Sequence, residues 1–165
     1  MKEIITGHGE SDANIRIAGF IAQRCGTPNA RWIDYTTIGL VDGGELVAGC
    51  LYSDFTGRNI LTYFAGAPGR KWLNRDLLWY GFYYPFVGLG CDRVTGLVRS
   101  DNLESLRMVW HMGYRLEAVL RGTYGRGIDT LVMVMWKPEC KWLKIMPDSM
   151  RKNHGREITF ASAAA

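Results

Sequence analysis

The chain has 165 residues, of which 47% are hydrophobic and 22% are charged, and its formal net charge at pH 7 is +4. A chain of this length and composition is typical of one folded globular domain and not of a disordered protein. The basic residues are scattered and form no dense stripe, so nucleic-acid binding is not indicated.

The sequence also argues against membrane insertion and against a metal site. No apolar run approaches the roughly 18 residues of a membrane span, and the N-terminal stretch MKEIITGHGE lacks the apolar segment of a secretory signal. The four cysteines form no C-x-x-C pair, and no His stands at zinc-ligand spacing from them. We therefore expect a cytoplasmic protein with free, buried thiols at Cys25, Cys50, Cys91 and Cys140.

The hydrophobic pattern predicts elements in the order β-α-β-β-β-α-β-α-β-β. In chain order they are a strand at Glu3–Thr6, a helix from Ser11 or Asp12 to Cys25, a hairpin over Thr36–Ser53, a strand at Asn59–Gly66, a helix from Leu73 to Tyr84, a strand at Asp92–Val98, a helix from Asp101 to Gly113, strands at Tyr114–Gly122 and Asp129–Trp136, and one or two helical turns at Pro138–Ile145.

Local signals support these boundaries. Asp42-Gly43-Gly44 supply the positive-φ positions of the hairpin turn, and Pro85 kinks or ends the second helix. Asp101, with Glu104 three residues on, resembles a capping box. Gly113 stands where a left-handed C-cap belongs.

The two strands at Asn59–Gly66 and Asp92–Val98 are joined by a helix, which predicts a parallel pair with a right-handed crossover. The fold class is therefore α/β (α+β), with a mixed sheet covered by helices. We expect one domain over residues 1–147 and a polar, loosely ordered tail over residues 148–165.

The stretch RSDNLESLRMVWHMGYRLEAVLRG, followed by IDTLVMVMWKPECKWL, resembles the C-terminal half of GNAT-type N-acetyltransferases. It is most similar to the branch that resembles ribosomal-protein N-terminal acetyltransferases, and the likeness extends over residues 35–145. The combination KWLNR…YPFVGLGCDRVTGLV…DN also resembles acetyltransferase-like proteins of tailed phages and prophages. The residues that fall in the register of the branch are Asn102, Ser105, Gly113, Tyr114, Arg121 and Asp129.

The resemblance implies a GNAT-like, mostly antiparallel sheet, with helices on both faces and two parallel central strands that splay apart. It also implies that the exposed strand backbones bind the pantetheine arm of acetyl-CoA, and that the next helix begins beside the thioester. The residues expected to contact acetyl-CoA are Tyr63, Phe64, Ala65, Arg70, Lys71, Leu73, Asn74, Arg75, Asn102 and Ser105. On the residues alone, an equal interpretation is that Asn102 and Ser105 only cap a helix.

The chain departs from the family pattern where phosphate would bind. The family loop is usually Arg/Gln-x-x-Gly-x-Gly/Ala, whereas this chain has GAPGRKWLNRDLL, in which the later glycines are missing. Arg70, Lys71 and Arg75 offset this loss with positive charge. The alternative is that these residues are a solvated helix start and that Trp72 fills the core.

The catalytic residues are the least determined part of the pattern. The strand NILTYFAG lacks the Glu that many members use, so Tyr63 is its one titratable group. Val109 stands where many members have a Tyr, and His111 lies close by in sequence. We take Tyr63 and His111 as catalytic candidates, although a lone His on a helix is more often an ordinary surface or core residue. A reaction that runs mainly by positioning needs no dedicated base.

The sequence therefore predicts an acetyl-CoA-dependent N-acyltransferase. Its acceptor is a primary amine of a protein N-terminus, a lysine, a small molecule or an aminated base, held by the first helix, the loop Gly26–Asp34 and the turn Tyr124–Gly127. The alternative is a catalytically degenerate binding or structural protein related to phage proteins, placed in the host cytoplasm or the virion. A nucleic-acid binder that uses Arg70–Arg75 is a weaker third interpretation.

Overall fold

A computed structural model describes residues 2–69 and 71–147. Its elements follow the predicted order. They are β1 (Lys2–His8), α1 (Asp12–Arg24), β2 (Thr36–Asp42), β3 (Glu45–Ser53), β4 (Asn59–Gly66), α2 (Arg75–Tyr83), β5 (Arg93–Arg99), α3 (Leu103–Met112), β6 (Arg115–Leu120) and β7 (Thr130–Trp136). The predicted tail at residues 148–165 and Arg70 lie outside the described residues.

In the described part of the chain, seven strands form one sheet in the order β1-β2-β3-β4-β5-β7-β6. The β4–β5 pair is parallel and the other neighbouring pairs are antiparallel. The predicted α/β (α+β) class is confirmed, with a mixed sheet and a helix that connects the two parallel strands.

The helices cover both faces of the sheet. α1 lies on the face that carries Leu51 and Ala65, while α2 and α3 pack on the opposite face in the larger hydrophobic core. Two strand glycines allow α1 to pack closely on the sheet. A Cβ at Gly49 would lie 2.8 Å from Ile17 Cγ2, and a Cβ at Gly39 would lie 3.0 Å from Ile17 Cδ1. The small residues on β2 and β3 therefore set the distance between α1 and the sheet.

Most predicted helix and turn signals are present. Gly43 and Gly44 have positive φ in the β2–β3 turn, and Gly113 is the left-handed C-cap of α3. α2 ends at Tyr83 and widens into a π-helical turn at Tyr84–Gly88, in which Pro85 supplies no N–H.

The capping box predicted at Asp101 and Glu104 is wrong. Asn102 caps α3, because its Oδ1 accepts a hydrogen bond from the Ser105 N–H at 3.0 Å. The Asp101 carboxylate instead accepts hydrogen bonds from Arg99 at 3.0 and 2.7 Å. Because the Asp101 carboxylate is paired with Arg99 of β5, it does not cap the helix.

The four cysteines are free thiols, and three of them are buried. Over residues 2–69 and 71–147, no three His, Cys, Asp or Glu side chains converge as a metal site would require. Within the same ranges, every helix is too short or too polar to span a bilayer.

Candidate functional site

The two parallel strands diverge after a short common ladder. β4 and β5 are paired from Asn59↔Arg93 to Leu61↔Thr95. Beyond that point β4 continues along β3 to Gly66, and β5 continues along β7 to Arg99. The facing edges of residues 62–66 and 96–99 therefore do not pair with each other, and a wedge-shaped cleft opens between them.

The cleft holds a cavity of about 100 Å³ that passes between the two faces of the sheet. Alternation along β4 and β5 sends side chains to opposite faces and divides the lining into two sides. The α3 side consists of Phe64, Val98, Asn102, Ser105, Met108 and Val109, with Thr62, Gly96 and Tyr114 at the closed end. The α1 side consists of Cys25, Thr27, Tyr63, Leu97, Arg99 and Tyr124.

A buried polar group stands at the closed end, where the ladder stops. The Thr62 hydroxyl donates to the carbonyl oxygen of Thr95 at 3.2 Å and lies 2.7 Å from the Tyr114 hydroxyl. Because the single Thr62 proton is used on Thr95, the Tyr114 phenol is the donor in the second bond. The Thr62 side chain thus bonds the Thr95 carbonyl at the point where the parallel ladder ends.

The N-terminus of α3 brings two polar side chains to the cleft. Asn102 caps the helix with Oδ1 and also lines the cavity, as does Ser105. Neither the Asn102 amide NH₂ nor the Ser105 hydroxyl has a hydrogen-bond partner within the described ranges. The capping role and the cleft role are therefore compatible, because they use different atoms of Asn102.

Burial keeps two titratable groups of the α1 side, Tyr63 and Cys25, in their protonated forms. It raises the pKa of the Tyr63 phenol and of the Cys25 thiol, so both groups stay protonated at neutral pH. The Tyr63 ring packs edge-on against Trp32, with ring centroids 5.5 Å apart. Among the described lining residues there is no Asp, Glu or His.

His111 does not reach the cleft. It is exposed in the last turn of α3, and its ring lies 6.2 Å from that of Trp142. Nine residues of helix separate it from Asn102, a rise of roughly 13 Å. Nearness in sequence to Asn102 therefore did not bring His111 to the site, and we leave it out of the proposed catalytic groups.

The expected acetyl-CoA contacts are split between the cleft and the start of α2. Tyr63, Phe64, Asn102 and Ser105 line the cleft. Ala65 is buried in the cluster beneath α1, and Leu73 packs against the main core. Asn74 caps α2 by accepting from the Leu77 N–H at 2.7 Å, while Lys71 and Arg75 are exposed.

Trp72 covers the end of β4 and does not close the cleft. The Trp72 indole lies directly against Gly66, where a Cβ would overlap the ring. Trp72 packs against the main core and is absent from the described lining of the cavity. The interpretation of Trp72 as a core residue is the one the contacts favour.

Sequence reasoning missed Leu97, Arg99 and Met108 as lining residues. The alternation of β5 was a usable signal for Leu97 and Arg99, since it places them on the face opposite Val98. Thr27 and Tyr124 come from the two loop segments predicted for the acceptor, and both line the α1 side.

Comparisons of the sequence with protein-family models and with curated proteins give no match. Solved structures match the fold. A variant of the spermidine N-acetyltransferase SpeG from Vibrio cholerae is 16% identical, with a TM-score of 0.65, over 85% of this chain and 96% of that chain. A dodecameric structure of the spermidine N-acetyltransferase from the same organism is 13% identical, with a TM-score of 0.61, over 81% and 94% of the two chains.

A protein described as an acetyltransferase of the GNAT family, from Desulfovibrio desulfuricans, is 15% identical, with a TM-score of 0.62. The match covers 81% of this chain and 99% of that chain. At such identities the likeness establishes the fold, which is that of the GNAT acetyltransferases.

Proposed function

We propose that the protein is an acetyl-CoA-dependent N-acyltransferase that moves an acetyl group to a primary amine. The observation that carries this proposal is the early end of the β4–β5 ladder at Leu61↔Thr95. It leaves two strand edges free to pair with an extended amide-containing ligand such as the pantetheine arm of acetyl-CoA. The acetyltransferases named among the structural matches support the same reaction class.

The α3 side of the cleft fits the thioester end of that ligand. Met108 and Val109 provide an apolar wall, and Val109 is buried. The Asn102 amide and the Ser105 hydroxyl provide hydrogen-bonding groups that the described protein leaves free. When bound there, acetyl-CoA supplies an acyl group activated as a thioester.

In this proposal the diphosphate of acetyl-CoA is bound differently from the family pattern. The α2 N-terminus carries the exposed cations Lys71 and Arg75, and Arg70 precedes them in sequence. Asn74 already satisfies the Leu77 N–H, so fewer free backbone donors remain for an anion. We therefore assign the diphosphate to side-chain charge more than to a glycine cradle.

The chemistry that we assign to Tyr63 is that of a proton donor. Its phenol is protonated at neutral pH because burial raises its pKa, so it can stabilise the oxyanion or the departing thiolate but cannot accept the proton of the amine. The amine has to lose its proton to water or enter as the free base.

The finer parts of the proposal come from the sequence resemblance. They are a place in the branch that resembles ribosomal-protein N-terminal acetyltransferases, a phage or prophage origin, and a cytoplasmic or virion location. The acceptor classes are a protein N-terminus, a lysine, a small amine, or an aminated base.

Thermal unfolding with acetyl-CoA tests the proposal. At about 100 times the Kd, binding to the native state adds about 2.7 kcal/mol, which raises the Tm of a chain of this size by about 5–10 °C. Ser105→Phe fills the cleft and should abolish the shift. Leu103→Phe is the matched control, because Leu103 is exposed in the same turn of α3 and lies outside the described lining. The proposal fails if the wild type shows no shift with acetyl-CoA, CoA or longer acyl-CoAs.

A second candidate is a binding protein that keeps the fold without chemistry. The lack of Asp, Glu and His in the described cleft lining favours it. Such a protein would bind acetyl-CoA or fail to bind it, but would release no CoA thiol in the presence of amines at about pH 9, where many amines are partly deprotonated. Release of thiol that depends on both the amine and the protein excludes this candidate.

A further inference from the structure

We infer that the amine accepted at the α1 side of the cleft is a monoamine with an aromatic body, and not a polyamine. This inference rests on the proposed function, because it concerns the second substrate of the same cleft. It is carried by the charges and the aromatic rings of the α1 side, which none of the comparisons assigns.

The described α1 side contains no carboxylate. A polyamine brings a second ammonium group, and burying it without an opposite charge is costly. The charged side chain that lines this side is a cation, Arg99. Arg99 is itself paired with Asp101, so the described α1 side offers no free opposite charge to a second ammonium group of the substrate.

The contacts of Arg99 leave no free acid beside it among the described residues. Its Nε and Nη2 donate to both carboxylate oxygens of Asp101, so the nearest acid is already fully engaged. The guanidinium lies over the Tyr124 ring at 4.9 Å, and within the described ranges Nη1 has no protein partner. Asp54, which influences Tyr63, accepts a hydrogen bond from the Ser53 hydroxyl at 2.6 Å and lies outside the described lining.

Aromatic and apolar groups occupy the rest of the same side. Tyr63 is backed by Trp32, and Tyr124 and Leu97 are 46% and 41% exposed at the mouth. Arg99 and Leu120 both pair with Thr130 of β7, so their side chains lie on the same face of the sheet. Leu120 is also exposed. An aromatic body at the mouth would thus contact rings and leucines.

The reaction balances without a further reactant. The nitrogen of the neutral amine forms a bond with the thioester carbonyl carbon, and the carbon–sulfur bond breaks. The thiolate gains one proton and the new amide nitrogen loses one, which gives the N-acetyl amine and CoA thiol.

The test compares matched amines on the full chain. CoA thiol release is measured with 2-phenylethylamine, butylamine and spermidine at one pH and expressed per concentration of the free-base amine, and binding of each amine is measured by calorimetry in the presence of CoA. We expect kcat/KM for 2-phenylethylamine to exceed the values for the other two by about tenfold or more. We expect calorimetry to give the same order of affinities.

Charge reversal at Arg99 tests the electrostatic part. Arg99→Glu should lower the preference for 2-phenylethylamine over spermidine by about fivefold or more. Arg58→Glu is the matched control, because Arg58 also forms an exposed ion pair, with Asp92, and lies outside the described lining. It should leave the preference unchanged.

The outcomes separate the two proposals. Preference for spermidine, or binding of acetyl-CoA with transfer to none of the three amines, overturns the inference on the acceptor and leaves acetyl-CoA binding in place. Absence of any thermal shift with acyl-CoA overturns the proposed function and the inference together. An equal effect of the Arg99 and Arg58 substitutions overturns the role of Arg99.

Discussion

At the scale of single residues, Asn102 shows how one side chain serves folding and the site. Its Oδ1 accepts a hydrogen bond from the Ser105 N–H and so caps the N-terminus of α3. Its NH₂ group lies at the cleft without a described partner. The two functions can be separated by substitutions, because an aspartate keeps the oxygen acceptor and removes the amide donor.

We therefore predict different effects for two substitutions at Asn102. Asn102→Ala should lower the free energy of unfolding by about 1 kcal/mol through loss of the cap. Asn102→Asp should retain stability, yet raise the Kd for acetyl-CoA by about tenfold, since a donor becomes a charged acceptor. Urea denaturation and calorimetry measure the two quantities.

The control for the added charge is Ser11→Asp at the N-cap of α1. Ser11 caps in the same way, by accepting from the Asn14 N–H, and lies outside the described cleft lining. Its variant should keep both stability and affinity. Wild-type affinity in Asn102→Asp would mean that Asn102 only caps the helix.

At the scale of elements, the cleft depends on how β4 and β5 part. The Thr62 hydroxyl bonds the Thr95 carbonyl, and the Tyr114 phenol bonds Thr62, so the point of separation contains a satisfied buried polar group. Each of these side chains is at most 5% exposed. Unpaired polar groups here would favour closing or rearranging the strands.

We predict that Thr62→Val destabilises the protein by about 1–3 kcal/mol, because the isosteric change leaves the Thr95 carbonyl and the Tyr114 hydroxyl unpaired. Tyr114→Phe should cost less in the Thr62→Val background than in the wild type, with a coupling of about 1 kcal/mol in a double-mutant cycle. Urea denaturation of the four proteins measures it. Strictly additive losses would show that the two hydroxyl groups do not interact.

At the scale of the whole molecule, the arrangement of charges sets the expected pH dependence. The described cleft lining holds no carboxylate or imidazole. Tyr63 is faced by Trp32, Ser53, Asp54 and Cys25, and burial is the main cause of its raised pKa. No group of the described lining is therefore poised to accept the proton of the amine near neutral pH.

If the protein is the proposed enzyme, log kcat/KM should rise with unit slope from about pH 6 to pH 8.5, following the free-base fraction of the amine. Because Tyr63 stays protonated over this range, Tyr63→Phe should lower the rate without changing the slope. Initial rates of thiol release across this range check both statements. A plateau starting near pH 7 would indicate an internal base and contradict the assignment.

Local pattern was sufficient for the elements and for part of the site. The helix and strand order, the Asp42-Gly43-Gly44 turn and the Gly113 cap follow from periodicity and backbone preference, which act between residues close in sequence. The position of Asn102 and Ser105 at the cleft followed from the register of the resemblance, and Tyr63 and Phe64 from the strand that it assigns. His111 lies outside the described lining of the cleft, because it stands in the last turn of the helix that begins beside the cleft at Asn102.

The sequence by itself determined the element order, the parallel pair and the absence of a Glu on β4. Only the tertiary structure decided where the β4–β5 ladder stops and that Asn102, and not Asp101, caps α3. It also decided that Arg99, Leu97 and Tyr124 meet on one side of the cleft. The physical reason is distance along the chain. Elements depend on neighbours a few residues away, whereas the cleft brings together side chains from Cys25 to Tyr124 through packing that no local pattern encodes.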